Sequence, residues 1–145
     1  MVHPKFEIMI NKLKILALLI IIGTGASLLL PSCGKEPGPG GKATIYGKVF
    51  VKDYNDEFTI LRESYYGPDI WVYLVYGDDR DYGDRIQTSY DGTYEFKYLY
   101  PGSYHIYVYS KDSTLQTNAP VPVIKDIEIP KKTESMEIPD LVIFN

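Results

Sequence analysis

The sequence predicts an all-β fold, a seven-stranded antiparallel Greek-key β-sandwich, and three observations carry that prediction. After residue 44, apolar side chains alternate with polar or aromatic ones over short runs, the period-two signature of strands buried on one face. No stretch after residue 42 keeps apolar side chains at i, i+3, i+4 and i+7, as a packed helix would. Turn signals, above all Asp91-Gly92 and Pro101-Gly102, punctuate the runs. Seven short strands in about 100 residues are what a sandwich of two sheets uses.

Taken in order, the first strand sets Ile45, Gly47, Val49 and Val51 on one face and Tyr46, Lys48, Phe50 and Lys52 on the other. The segment from Tyr54 to Gly67 is long for a connection and reads as a surface excursion, with a small strand of its own at Phe58 to Leu61. The second strand turns Ile70, Val72 and Leu74 inward and Trp71, Tyr73 and Val75 outward. A short third strand spans Arg85 to Ser89. The Asp91-Gly92 hairpin leads into a fourth carrying Tyr94 and Phe96 inward, with Leu99 close behind. In the fifth, Tyr104, Ile106 and Val108 face the core and His105, Tyr107 and Tyr109 face out. Val121 to Ile129 and Ile138 to Phe144 supply the last two. Lys125 interrupts the alternation of the sixth strand, which marks a bulge or an edge position.

The first 32 residues read as an address. Lys12 and Lys14 precede Ile15–Leu30, an uncharged apolar run of 16 residues. That is short for a helix crossing a bilayer, which needs about 20, but it fits a secretory signal peptide. The exit, Leu30-Pro31-Ser32-Cys33, resembles a bacterial lipobox. On that reading the chain is cleaved before Cys33, and Cys33 is the lipid-modified mature N-terminus. Three acyl chains hold a protein on a membrane where one gives only marginal binding. Gly34 follows the cysteine in place of the aspartate that favours inner-membrane retention in enteric bacteria. The expected location is therefore the bacterial cell envelope, in the outer membrane, with the leaflet open. Residues 33–43, rich in glycine and proline, read as a flexible linker, and 44–145 as the folded domain.

Composition excludes several function classes. Formal net charge is −4. Removing the leader takes away three lysines and one glutamate, so the mature chain is more acidic still. Binding to nucleic acid through bulk positive charge is thereby excluded, and an acidic domain is expected to stand off an anionic membrane. One cysteine excludes an internal disulfide framework and any multi-cysteine zinc site. No cofactor is implied.

The block Thr88-x-x-Asp91-Gly92-x-Tyr94-x-Phe96-x-x-Leu99-x-x-Gly102-x-Tyr104-x-Ile106-x-Val108, with Ile45-x-Gly47-x-Val49 and Val72-x-Leu74 before it, resembles the carboxypeptidase regulatory-like, or prealbumin-like, sandwich domain. The resemblance covers about Thr44 to Phe144, and a small lipoprotein of this design resembles those abundant in Bacteroidetes. It implies an accessory module: a spacer, an adhesive unit, or an appendage to an enzyme or receptor. Fold alone does not assign function. A related module, the Cna B-type domain, forms an internal Lys–Asn or Lys–Asp isopeptide bond. Lys48 and Asp140 stand nearest to such a pair, although Lys48 lies on the outward face and Tyr107 to Ser110 occupy the usual place of the promoting glutamate.

Two groups of residues are candidate sites. In the resembled fold the second and fifth strands are neighbours, which puts Trp71, Tyr73, His105, Tyr107 and Tyr109 into one outer aromatic patch. Flat rings with polar tips suit a glycan or an envelope protein partner. Ordinary cross-strand pairing, or cover from the Tyr54–Gly67 excursion, is the structural alternative. The second group, Asp78, Asp79, Asp81 and Asp84, is a weak calcium candidate. Its spacing is not that of an EF-hand, and Arg80 and Arg85 offset its charge. A solvated loop is the simpler reading. For catalysis, His105 is the single histidine of the mature chain, and Glu57 and Glu63 are unmarked among other carboxylates. The sequence thus reads as a non-catalytic binding or assembly module. The alternatives are a purely structural accessory subunit of an envelope complex and, more remotely, a hydrolase using its acidic loops.

Overall fold

The computed structural model describes residues 35–131 and 134–145. The expected signal peptide, the lipobox-like motif and Cys33 lie outside them. Nine strands form two sheets, and among the described residues there is no helix. The strands are β1 (Pro39–Tyr54), β2 (Leu61–Tyr66), β3 (Trp71–Tyr76), β4 (Asp84–Gln87), β5 (Thr93–Leu99), β6 (Gly102–Ser110), β7 (Val121–Ile129), β8 (Ser135–Glu137) and β9 (Leu141–Phe144).

The all-β expectation holds, but the count of seven and the purely antiparallel arrangement do not. The four-stranded sheet, in the order β4-β3-β6-β7, is antiparallel throughout. The other is mixed and organised around β1. Pro39–Lys48 pairs antiparallel with β5 and Phe50–Tyr54 with β2. The same strand pairs in parallel with β8 at Thr44–Tyr46 and with β9 at Val49–Lys52. Residues 138–144, read as one strand, are thus split: Ile138 donates its N–H to the Tyr46 carbonyl, and the β9 ladder begins at Leu141. The excursion strand also lies further along than expected, at 61–66. Phe58 sits instead in a tight loop in which the Asn55 side chain accepts the amides of Thr59 and Ile60.

The inward faces of the two sheets share one apolar core. Ile45, Val49, Phe96, Leu99 and Leu141 from the β1 sheet meet Val72, Leu74, Tyr104, Ile106, Val108 and Ile129 from the other. This is the alternation read from the sequence except at Val75, expected outward and found buried; the outward parity of Trp71, Tyr73, Tyr107 and Tyr109 holds. Lys125 marks an edge and not a bulge, since the β6–β7 ladder runs without a register break from Gly102↔Ile129 to Ser110↔Val121. Its position falls on the core side, but at the edge its ammonium reaches past the core and donates to the carbonyls of Pro139 (2.7 Å) and Asp140 (3.0 Å). An inward charge on an edge strand discourages pairing with another chain.

The glycine- and proline-rich linker is shorter than its composition indicates. β1 starts at Pro39, five residues before the expected domain boundary. Gly38 donates its N–H to the Tyr104 hydroxyl (2.9 Å), and its carbonyl accepts the Tyr100 amide (2.9 Å). Lys35 donates to the Tyr100 hydroxyl (3.1 Å) and lies over that ring. The Tyr100 amide and the Tyr104 hydroxyl thus order a segment whose apolar side chains are prolines alone.

A turn forms at Asp91-Gly92, with Gly92 at φ +78°, but it is not the expected hairpin: β4 and β5 on its two sides belong to different sheets, so the turn carries the chain from one sheet to the other. Asp91 accepts hydrogen bonds from Lys48 Nζ (2.9 Å), Ser89 and Thr93. These hold its carboxyl below the usual carboxylate range. A carboxyl whose folded pKa is depressed stabilises the fold above its unfolded pKa, and loses that contribution as the pH falls through the folded value. Wild-type melting temperature is therefore expected to fall below about pH 4, with a shallower slope in Asp91→Asn, read by circular dichroism. Equal slopes would show that the turn carries no such linkage.

Candidate functional site

The outer face of the β4-β3-β6-β7 sheet carries a connected series of rings. Antiparallel pairing sets Tyr73 opposite Tyr107, and their rings stack with centroids 4.8 Å apart and planes at 7°. Tyr109, two residues along β6, meets Tyr73 edge-on at 5.8 Å and Tyr107 at 5.6 Å. Crowding among these rings desolvates the Tyr107 phenol and pushes its pKa up.

Two further residues complete the series. Tyr82, from the loop between β3 and β4, folds back edge-on to Tyr73 at 5.1 Å. Arg85, the β4 residue paired with Tyr73, places its guanidinium 4.5 Å from the Trp71 ring centroid and 5.8 Å from that of Tyr82. The contacts therefore run Trp71–Arg85–Tyr82–Tyr73–Tyr107–Tyr109. Each aromatic pair contributes about 0.5–1.5 kcal/mol beyond area burial. Part of the patch is accordingly structural, as cross-strand pairing predicts. The face nonetheless stays open: Trp71 is 40% exposed, Tyr82 44% and Tyr109 49%. The Tyr54–Gly67 excursion does not cover it, because β2 pairs into the other sheet.

His105 shares the face but not the series. It stands opposite Val75 on one side and Asp126 on the other, with Nδ1 2.6 Å from Asp126 Oδ1. Tyr82 and Arg85 were the residues sequence reasoning missed. Tyr82 lies inside the acidic loop and Arg85 at the start of the expected third strand, and the signal available was their nearness to an outward-facing strand.

Of that loop, Asp84 accepts the amide of Arg85. Among the described residues no three His, Cys, Asp or Glu side chains converge to hold a metal ion. Glu57 accepts from the Asn55 side chain, and Glu63 stands opposite Asp53 on β2. Lys48 and Asp140 each have another partner, Lys48 the Asp91 carboxylate and Asp140 the Tyr66 hydroxyl (3.1 Å). That hydrogen bond raises the pKa of the Tyr66 phenol.

Fold and face together define an all-β module with an exposed aromatic surface. No family model matches the chain, and no curated protein matches it. Among solved structures it has a loose likeness to a "putative carbohydrate binding protein" of Pseudomonas aeruginosa. The two are 13% identical, with a TM-score of 0.44, over 74% of this chain and 91% of that one.

Proposed function

We propose that this chain is a prealbumin-like, non-catalytic binding module of the bacterial cell envelope. Acylated Cys33 anchors it in the outer membrane, and it takes a glycan on its aromatic face. The observation that supports this most is the continuous series from Trp71 to Tyr109 on an open sheet surface. Rings on a rigid sheet offer contact area at little cost in conformational entropy, and their polar tips match hydroxyl-rich ligands.

The test is retention of the protein on a panel of insoluble polysaccharides. Trp71→Ala/Tyr107→Ala is expected to lower affinity about tenfold or more, because it removes two aromatic contacts of the order of 1 kcal/mol each, while both proteins keep the same β-rich circular dichroism. An unchanged affinity in a folded double variant would remove the face from the reading. One observation favours the second reading, a structural accessory subunit: the Tyr73 and Tyr107 rings stack on each other and so satisfy each other without a ligand. Co-purification of a stoichiometric protein partner from detergent-treated membranes, unaffected by the same double variant, would support that reading.

A further inference from the structure

The aromatic series ends at a cavity. Tyr109 also lines a concavity of about 690 Å³ at the end of the domain where β1 finishes. That volume lies within the range of small-molecule sites, about 300–1,000 Å³. Its apolar wall includes Phe58, Tyr65 and Phe144, with the Phe58 and Phe144 rings edge-on at 5.9 Å. Its polar wall is the segment from Lys111 to Pro120.

The two loops that close the cavity are held in place. The Asp112 carboxylate accepts the Thr114 hydroxyl and amide and the amides of Gln116 and Thr117. These bonds depress its pKa. Phe58 and Leu115 both line the cavity, and both sit at positive φ, 53° and 57°. Such conformations cost of order 1–3 kcal/mol in bulky residues and collect at ligand clamps. Leu115 is also 60% exposed, an apolar side chain held at the mouth and not tucked into the core.

We propose that this cavity receives the terminal residues of a neutral oligosaccharide whose chain continues across Tyr109 onto the aromatic face; this rests on the glycan reading above. The chemistry of the walls selects the class. A pyranose ring has apolar C–H faces and a polar edge, matching rings on one wall and hydrogen-bonding groups on the other. Among the described residues Asp56, Lys111 and Asn118 of the lining make no side-chain hydrogen bond or ion pair. A purely apolar ligand would bury them unpaired, at a cost. The lining carries two carboxylates, Asp56 and Asp112, against one ammonium, Lys111, an excess of one negative charge that disfavours an anionic ligand; Asp112 is already taken up by Thr114, Gln116 and Thr117, which leaves Asp56 and Lys111 as an opposed pair facing a neutral one. The position suits a chain end: Val51, in the cavity wall, is 12 residues along β1 from Pro39, or about 40 Å at strand rise. The cavity therefore lies far from where the chain joins the fold.

The test is calorimetry on the full chain in detergent, with cellohexaose, maltohexaose, xylohexaose and mannohexaose as probes and free phenylalanine as the zwitterionic competitor. One hexaose is expected to bind. Lys111→Ala/Asn118→Ala, in exposed loop positions, is expected to weaken it about tenfold, and Trp71→Ala/Tyr107→Ala is expected to weaken it as well. The parent polysaccharide, with few ends per sugar, is expected to compete poorly for the cavity. Unchanged hexaose binding in the Lys111/Asn118 variant, with binding lost in the Trp71/Tyr107 variant, would overturn the cavity and leave the face standing. Loss in the Lys111/Asn118 variant alone would keep the cavity and remove the face. Binding of phenylalanine and of no hexaose would overturn the proposal.

Discussion

Gly47→Ala is expected to lower the melting temperature by roughly 10 °C or more, a loss of about 3 kcal/mol. Gly47 is an interior residue of β1, outside the left-handed region, so its backbone suits alanine. By conformational entropy alone the change would stabilise by about 0.4–1 kcal/mol. Space decides the sign. A Cβ there would lie 2.7 Å from the Tyr94 hydroxyl oxygen and 2.8 Å from the Ile138 carbonyl oxygen. The second obstacle is backbone, at the joint between β8 and β9, and it has little freedom to move because the Ile138 amide is bonded to Tyr46.

Tyr94 supplies an internal control. Its hydroxyl is buried without a hydrogen-bond partner among the described residues, and burial raises its pKa. Leaving such a group unpaired costs about 1–3 kcal/mol, so Tyr94→Phe is expected to be neutral or stabilising. In the double variant the oxygen nearest the new methyl is gone, and the loss should be smaller than the sum of the singles. Urea denaturation of all four proteins measures this coupling. Strict additivity would show that the cost is set by the neighbours that remain, the Ile138 carbonyl and the Cζ ring carbon of residue 94 at 2.9 Å.

The second large effect is on location. Cys33→Ala is expected to abolish incorporation of labelled fatty acid and leave the leader uncleaved. The wild type should resist extraction by high salt, and its N-terminal peptide should carry an acylated Cys33 by mass spectrometry. The magnitude is close to all-or-none, since each buried methylene contributes about 0.8 kcal/mol and three chains bury dozens. An unmodified thiol at residue 33 of an intact, extractable chain would end the anchoring proposal. Because Lys35 and Gly38 are already bonded to Tyr100 and Tyr104, an anchor at Cys33 would be joined to the domain by a shorter free linker than composition indicates.

How legible all this was depends on how local the cause is. Strands β3, β5, β6 and β7 announce themselves through alternation, because each buries one face and the period is two. β2 does not, since almost every residue in it is exposed and no apolar stripe marks it. The start of β1 is hidden for the opposite reason: glycines and prolines are held there by partners 60 residues away. The parallel pairing of β8 and β9 is a long-range choice that no short window records. The aromatic face was half legible. Parity put Trp71, Tyr73, Tyr107 and Tyr109 outward, while the arrival of Tyr82 and Arg85 depended on how a loop folds back. The cavity was not legible, because its walls come from the loops at 55–60 and 111–120 and from Ile143–Asn145, which only the tertiary fold assembles.

The central position of β1 also sets a timetable. Its flank is completed by residues 141–144, and the Tyr54 amide is bonded to the Asn145 carbonyl. These contacts join segments about 90 residues apart, and such distant closures are slow. The longest strand therefore stays half-partnered until residues 141–145 reach it, and its sheet closes late in folding, after the local turns and neighbouring strands have formed.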